Sequence, residues 1–411
     1  MKIAFVTDLH LVEDAATGSV RGYQLEGLAR VVEGIKDAGA DLILLGGDNS
    51  GHDIPHKATP AELNAHVDFR VALAEIAPVL EVQGNHDFVG NYEVFNRLAS
   101  KHPIAFASSP GGVDVKELGG PDCMVWLLPW IFPSAVEVEA DVDAAVAYRD
   151  YVYSEVEALA ATAAETIEQE HRERIVRPHF LLGHVAVRDA LLRDGQPAVP
   201  VSDPVIDSAA LMPDGLYEAG FFGHYHHMQV VRFDGDRPIG VYGGSLFVNE
   251  YGETPDKGWT LYNTSGGAFT RHEIEQPLMV RVTLDPATGR VQTKPHVDVH
   301  DVEGLGRFDF DSVMVKLVVD LPATGLGHHA VVRDRAVSLI KATAMSLRVV
   351  YKGGAEPPKE RDGAAEVSEA ASVEDKLGVY LRKVRAPSVP EETARLVVGL
   401  YRELSTEGEG T

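Results

Sequence analysis

The chain has 411 residues, enough for two or three domains, and its 45% hydrophobic and 24% charged content is that of an ordinary soluble globular protein. Its one cysteine, Cys123, excludes a disulfide framework within the chain and suits a reducing compartment; the residue reads as a small buried hydrophobe. A net charge of -25 weighs against a surface that grips nucleic acid unaided, although bound divalent cations or a basic partner would reverse the local field.

The chain opens MKIAFVTDLH, without the apolar core and small-residue cleavage site of a signal peptide. No apolar run approaches the ~20 residues of a membrane span, so the expectation is a soluble, cytoplasmic protein with no membrane partner. The first strand runs apolar from Ile3 to Val6 and delivers Asp8 and His10. In VRGYQLEGLARVVEGIKDAG, Leu25, Leu28, Val32 and Ile35 fall at helical spacing, with Gly39 as a stop. DLILLGGDN runs from Leu42 to Leu45 and delivers Asp48; PAELNAHVDFRVALAEIA then reads as helix. PVLEVQGNHD ends in Gly84, Asn85, His86 and Asp87, which taken alone would be a turn.

Residues 134–174, rich in Ala, Glu and Val, read as a long, largely polar helical insertion. PHFLLGHV runs from Phe180 to Leu182 and delivers His184, and EAGFFGHYHH delivers His224 and His226. Short apolar runs bounded by Gly are strands buried on both faces of a layered α/β protein. The order strand, helix, strand, helix, strand makes right-handed crossovers the expectation, and ligands of such sheets gather at the carboxyl ends of the strands. Each polar cluster stands at such an end.

From about Gln276 the pattern changes to alternating strands, a helix at DRAVSLIKATAMS and a strand at LRVVYK. The expected division is 1–275 as the main α/β domain, 276–352 as a small α+β domain, and 353–371 as a linker of Gly, Pro, Ala and Glu. Residues 372–405 are expected to form two amphipathic helices, the second started by Pro390 with Glu391 and Glu392 in its first turn. A helical pair with so little core of its own points to a binding segment.

The strand ends assemble Asp8, His10, Asp48, Asn85, His86, His184, His224 and His226. Mixed oxygen and imidazole donors suit Mn, Fe or Zn better than Ca or Mg. Seven of these as ligands are too many for one ion and suit two ions sharing a carboxylate; ions ~3.5–4 Å apart can clamp a phosphoryl group and activate water. The i, i+2 spacing of Asp8 with His10 and of His224 with His226 would point each pair the same way from an extended strand end. A single D-x-H or a lone G-D is weak; five such elements, each at a strand end, are not. His52, His56, His66, His102, His171 and His179 have no such placement and suit surface or capping roles.

The set D-x-H, G-D-N, G-N-H-D, G-H and G-H-x-H, spread over about 1–230, resembles the calcineurin-like metallophosphoesterases. The resemblance implies a layered β-sandwich core flanked by helices. It also implies one ion on Asp8, His10, Asp48 and His226, and a second on Asp48, Asn85, His184 and His224. His86 would then meet the scissile phosphate or protonate the leaving oxygen, with Asp87 orienting it.

Later segments resemble the SbcD-type nuclease subunits more narrowly, through Gln229, Gly244 with Ser245, Gly252 with Glu253, and Lys257 with Gly258. That resemblance makes 276–352 a capping domain and 372–405 a segment docking on the coiled-coil base of an SbcC-type ATPase. It implies two ions, Mn2+ first with Mg2+, Fe2+ or Zn2+ as alternatives. The partners it implies are DNA and the ATPase, with a homodimer as a further option. The implied activity is 3′→5′ exonuclease on duplex ends and endonuclease on hairpins. His52, one position beyond the family's histidine, becomes the candidate contact to DNA phosphate. A small-molecule phosphodiesterase acting on cyclic nucleotides would use the same metal core, and a scaffolding subunit with a dead site is the remaining alternative.

Overall fold

The computed structural model describes residues 1–14, 19–50, 58–87, 92–137, 142–188, 190, 204–232, 238–249, 256–294, 299–308, 313–321, 330–341, 344 and 346–353. His52, Gly252 with Glu253, the expected linker beyond residue 353 and the expected helices of 372–405 lie outside the described residues. The chain divides into two units, Met1–Val280 and Arg281–Thr411.

In the first unit, β1 (Lys2–Val6) is followed by α1 (Gly22–Ala38), β2 (Leu42–Leu45), α2 (Pro60–Ala74), β3 (Val79–Val82) and β4 (Ile104–Ala107). All four strands run parallel, each beside its predecessor, as crossover helices require. Then come β5 (Gly111–Asp114), β6 (Met124–Leu128), α3 (Ala144–Glu173), β7 (His179–His184), β8 (Ala219–Gly223), β9 (Gln229–Arg232) and β10 (Pro238–Tyr242). These strands make a second sheet in the order β9-β10-β8-β7-β6-β5, parallel from β6 through β7 and β8 to β10 and antiparallel at both edges. The hairpin of β11 (Gly258–Asn263) and β12 (Ala268–Glu273) returns to pair antiparallel with β1, giving the first sheet the order β12-β11-β1-β2-β3-β4.

Strand alternation sorts the side chains into layers. Ile3, Phe5, Leu42, Leu44, Leu80 and Val82 pack with Val125, Leu127, Phe180, Leu182 and Phe221 between the two sheets. The intervening residues Ala4, Val6, Ile43, Leu45 and Val79 face α1 and α2, and Trp126, Leu181 and Phe222 pack with α3 residues such as Val152 and Val156. The result is a sheet-on-sheet core with helices outside, a mixed α/β architecture.

Helix ends follow local chemistry. Thr59 and Glu62 form a reciprocal capping box with Pro60 just inside α2, and Gly39, at φ 64°, closes α1 in the left-handed conformation. The apolar stripe of α1 is rotated from the one expected: Leu28, Val31 and Ile35 are buried, whereas Leu25 is 39% exposed. His66 and His179, expected in surface or capping roles, are buried. His179 donates Nε2–H to Glu170 at 2.8 Å and accepts from Trp126 Nε1–H at 3.1 Å. Cys123 is buried, and burial pushes its thiol up to about 12, consistent with an inert packing residue.

In the second unit, β13 (Leu278–Asp285), which begins at the end of the first unit, forms an antiparallel hairpin with β14 (Arg290–Lys294). β15 (Val313–Leu321) runs parallel to β16 (Ser346–Gly353), and α4 (Ala330–Lys341) lies between them in sequence. The sheet order is β14-β13-β15-β16, and Ala336 and Ile340 are the buried side of α4.

Candidate metal centre

The carboxyl ends of β1, β2, β3, β7 and β8 meet above the core. The loop leaving β1 zips onto the loop leaving β2: the amides of Asp8, His10 and Leu11 donate to the carbonyls of Gly47, Asp48 and Asn49 at 2.9, 3.0 and 2.9 Å. Glycines allow the loops to approach. A Cβ on Gly84 would run into the carboxylate and amide nitrogen of Asp48, and one on Gly47, itself at φ 88°, would stand 2.8 Å from His184 Nδ1.

Two ligand groups result. Asp8, His10 and His226 form one, and Asp48, His184 and His224 form the other; within each, the ligand atoms lie within 4.8 Å of one another. Asp48 Oδ2 stands between them, 3.8 Å from His10 Nε2 and 3.3 Å from His184 Nε2. Asn85 joins the second group, its Oδ1 3.0 Å from both His184 Nε2 and His224 Nδ1. His86 donates its backbone amide to Asp48 Oδ1 at 2.8 Å and sets its ring edge-on to that of His10, centroids 5.1 Å apart.

The extended geometry expected for the i, i+2 pairs does not hold. Asp8, His10 and His224 have φ of 53°, 43° and 97°, and Asp48 has φ 54°, so the ligands ride on left-handed turns beyond the strands. Such conformations of non-glycine residues persist where surroundings over-determine them, and they concentrate at functional sites.

Hydrogen bonding fixes the imidazoles. His184 Nδ1–H donates to the Gly46 carbonyl at 2.6 Å, and His10 Nδ1–H donates to that of Ser50 at 3.2 Å, which turns each Nε2 toward the centre. There His184 Nε2 meets two oxygen acceptors, and His10 Nε2 meets His226 Nε2 at 3.0 Å. Lone pairs facing one another across such gaps require a proton or a cation between them. The donor set therefore fits divalent ions: buried carboxylates, imidazoles with fixed tautomers, and one amide oxygen.

The electrostatics point the same way. Burial opposes charge on His184, yet the carboxylates of Asp48 and Asp8 outweigh it and hold the imidazolium up to about 9. His224 is pushed down to about 3, by burial and then by the charge on His184. Burial raises Asp8, and it would raise Asp48 too, but His184, His86 and His10 carry Asp48 well below the carboxylate range. The centre calls for positive charge, which a proton on His184 supplies in part.

Further residues support the ligands; of these, Trp130, Gln24 and Thr7 escaped the sequence reading, and Asp87, expected there to orient His86, has a clamping role that reading did not give it. The Asp87 carboxylate accepts from the backbone amides of Gly84, Asp48 and Asn49 at 2.8, 2.9 and 2.8 Å, clamping two ligand loops together. Trp130 lies against His224 with ring planes 30° apart and centroids at 5.1 Å; it follows a strand end just as the ligands do, a signal that could have found it. Gln24, on α1, donates to the His10 carbonyl at 3.1 Å, and Thr7 donates its hydroxyl to Asp8 at 2.6 Å. The carbonyl of His226 accepts from Lys257 Nζ at 2.9 Å, and Lys257 also donates to Ser245 Oγ at 2.8 Å.

Residues 1–122 match the family described as Calcineurin-like phosphoesterase. A sequence search of curated proteins finds no match. Among solved structures, GAP50, the anchor in the inner membrane complex of Plasmodium, is similar with 13% identity over 67% of this chain and 89% of that one, at a TM-score of 0.40. A dimetal phosphatase from Danio rerio is similar with 12% identity over 64% of this chain and 91% of that one, also at 0.40. Residues 1–122, which carry the first half of a two-centre ligand set that His184, His224 and His226 complete, are thus similar to the calcineurin-like phosphoesterases.

Proposed function

We propose that the chain is a Mn-dependent DNA nuclease subunit that works with an SbcC-type ATPase, cutting duplex ends 3′→5′ and opening hairpins. Underneath lies the coarser identity, a dimetal phosphoesterase of the hydrolase class. One ion would sit on Asp8, His10, Asp48 and His226, the other on Asp48, Asn85, His184 and His224. When bound, the pair supplies positive charge to the phosphate and a nucleophile from water near neutral pH.

The chain's own residues do the remainder. Asp48 reaches both groups from one backbone position held by Asp87. His86 stands beside His10 at the front of the centre, where its imidazole meets the phosphodiester and delivers a proton to the departing 3′-oxygen. Trp130 fixes the plane of His224, and the carbonyl contacts of His10 and His184 keep their Nε2 atoms turned inward.

The observation that carries the nuclease reading is the brace on His226. The G-S and K-G elements shared with SbcD-type subunits converge on one ligand: Lys257 bridges Ser245 and the His226 carbonyl. A labelled duplex, a labelled hairpin and a cyclic nucleotide, compared in Mn2+ with and without an SbcC-type ATPase, test it. Cleavage of duplex and hairpin, stimulated by the ATPase, is expected. Preferred turnover of the cyclic nucleotide would instead establish a small-molecule phosphodiesterase on the same core.

A further inference from the structure

We propose that Arg70 and Glu81, acting through Asn49, are positioning residues for Asp48: a buried brace that fixes the backbone from which Asp48 faces both ligand groups. Glu81 belongs to β3 and Arg70 to α2, and both are fully buried. Arg70 donates Nε–H to Glu81 Oε2 at 2.6 Å and Nη2–H to Glu81 Oε1, and its Nη1–H goes to the His66 carbonyl at 2.9 Å. Its guanidinium also lies over the Phe95 ring, 4.2 Å from the centroid.

An ion pair this deep is a poor device for holding a core together. Apolar residues of similar volume are usually as stabilising, because two charges need not be desolvated. The place makes the pair more conspicuous. Glu81 pairs in register with Leu45, and Val79, two residues earlier, packs among the apolar side chains under α1 and α2. An apolar residue is what strand alternation asks for there.

What Glu81 adds is an acceptor beneath the β2 loop. Its Oε1 takes the Asn49 side-chain amide at 2.8 Å. With Asn49 so anchored, the backbone amides of Asn49 and Asp48 both point at the Asp87 carboxylate, at 2.8 and 2.9 Å. Asp48 is held in the left-handed conformation, which a non-glycine residue abandons unless its surroundings insist. The chain of contacts runs from α2 through Arg70, Glu81 and Asn49 to the residue shared by both ligand groups. Neither Arg70 nor Glu81 belongs to either ligand group.

The assignment rests on the two-ion reading of the site, and its test begins with Mn2+ titration of the parental chain by calorimetry. In the full chain, Arg70→Met with Glu81→Leu removes both charges together and is expected to leave the thermal midpoint in chelator near the parental one. Mn2+ affinity should fall by about 10–100-fold, and kcat on a model phosphodiester should fall while KM changes little. Arg70→Met with Glu81→Gln returns an acceptor to Asn49 without the charge and should restore both. Parental Mn2+ affinity in the Met/Leu variant, or no rescue by the Gln variant, overturns the brace. If the Met/Leu variant does not fold, Asn49→Ala decides, since it leaves the ion pair intact. Weakened Mn2+ binding supports the brace, and parental binding overturns it. A parental chain that takes up fewer than two Mn2+ overturns the site reading and the brace together.

Discussion

His86→Ala separates ion binding from proton delivery, because His86 contributes its backbone amide to Asp48 while its ring, set edge-on to that of His10, belongs to neither ligand group. The expected result is two Mn2+ per chain, as in the parent, with kcat on a phosphodiester lowered by about 10²–10⁴-fold. A near-parental rate would remove His86 from its assigned role. His184 predicts a pH dependence in the chelated protein. Its folded value, about 9, lies above the ordinary histidine value of 6.5, so the folded chain holds a proton that the unfolded chain releases between these limits. That contribution to stability is complete below 6.5 and is lost as pH rises toward 9, amounting to roughly 3 kcal/mol. Thermal midpoints in chelator should fall over this window, and saturating Mn2+ should abolish the fall by taking the proton's place. A flat profile in chelator would show that no carboxylate field acts on His184. The ligand residues were legible because each follows an apolar run. Arg70 and Glu81 were not, nor was the clamp that Asp87 makes on two loops, since their partners come from other elements.

The β-ends work as a unit because glycines let their backbones nearly touch. Gly84→Ala tests this, for its Cβ would meet the carboxylate and amide nitrogen of Asp48 in a loop already clamped by Asp87. The loop must shift, so Mn2+ binding should weaken by at least tenfold, about the effect of losing a ligand's supporting contact, and the thermal midpoint should drop. Parental Mn2+ affinity would mean that the two loops have room to spare. At this scale the strand and helix order was readable from periodicity and capping residues such as Gly39, Thr59 and Pro60. The stripe of α1 was misjudged by one position, since apolar spacing admits both Leu25 and Val31 and only packing chooses. The left-handed turns that carry Asp8, His10, Asp48 and His224 were hidden, because none of these residues is glycine. The return of β11 to β1 was hidden as well, for local sequence does not specify which edge a distant hairpin will join.

Over the whole molecule, charge and site pull in different directions. A chain of net charge -25 repels a phosphate backbone, yet the candidate centre calls for cations and the proposed substrate is a phosphodiester. The ions answer the repulsion locally, within the centre, but the Debye length of about 8 Å at physiological salt confines their pull to its neighbourhood. A long duplex therefore needs a second source of positive charge, which is the physical reason to expect a partner. The sequence puts its candidate binding segment at 372–405, well beyond a site contained in Met1–Val280. A chain lacking residues 372–411 should keep two Mn2+ and parental turnover of a small phosphodiester, because it retains every candidate ligand and the described contacts of Asp87 and Lys257. It should no longer be captured by an SbcC-type ATPase, and its cleavage of long duplex should fall to that of the isolated subunit whether or not the ATPase is present. Pull-down and duplex assays on the same preparations read both. Retained capture would move the docking surface elsewhere on the chain. Lost turnover of the small diester would instead tie the terminal segment to the centre itself, leaving the need for a basic partner to be met at another face.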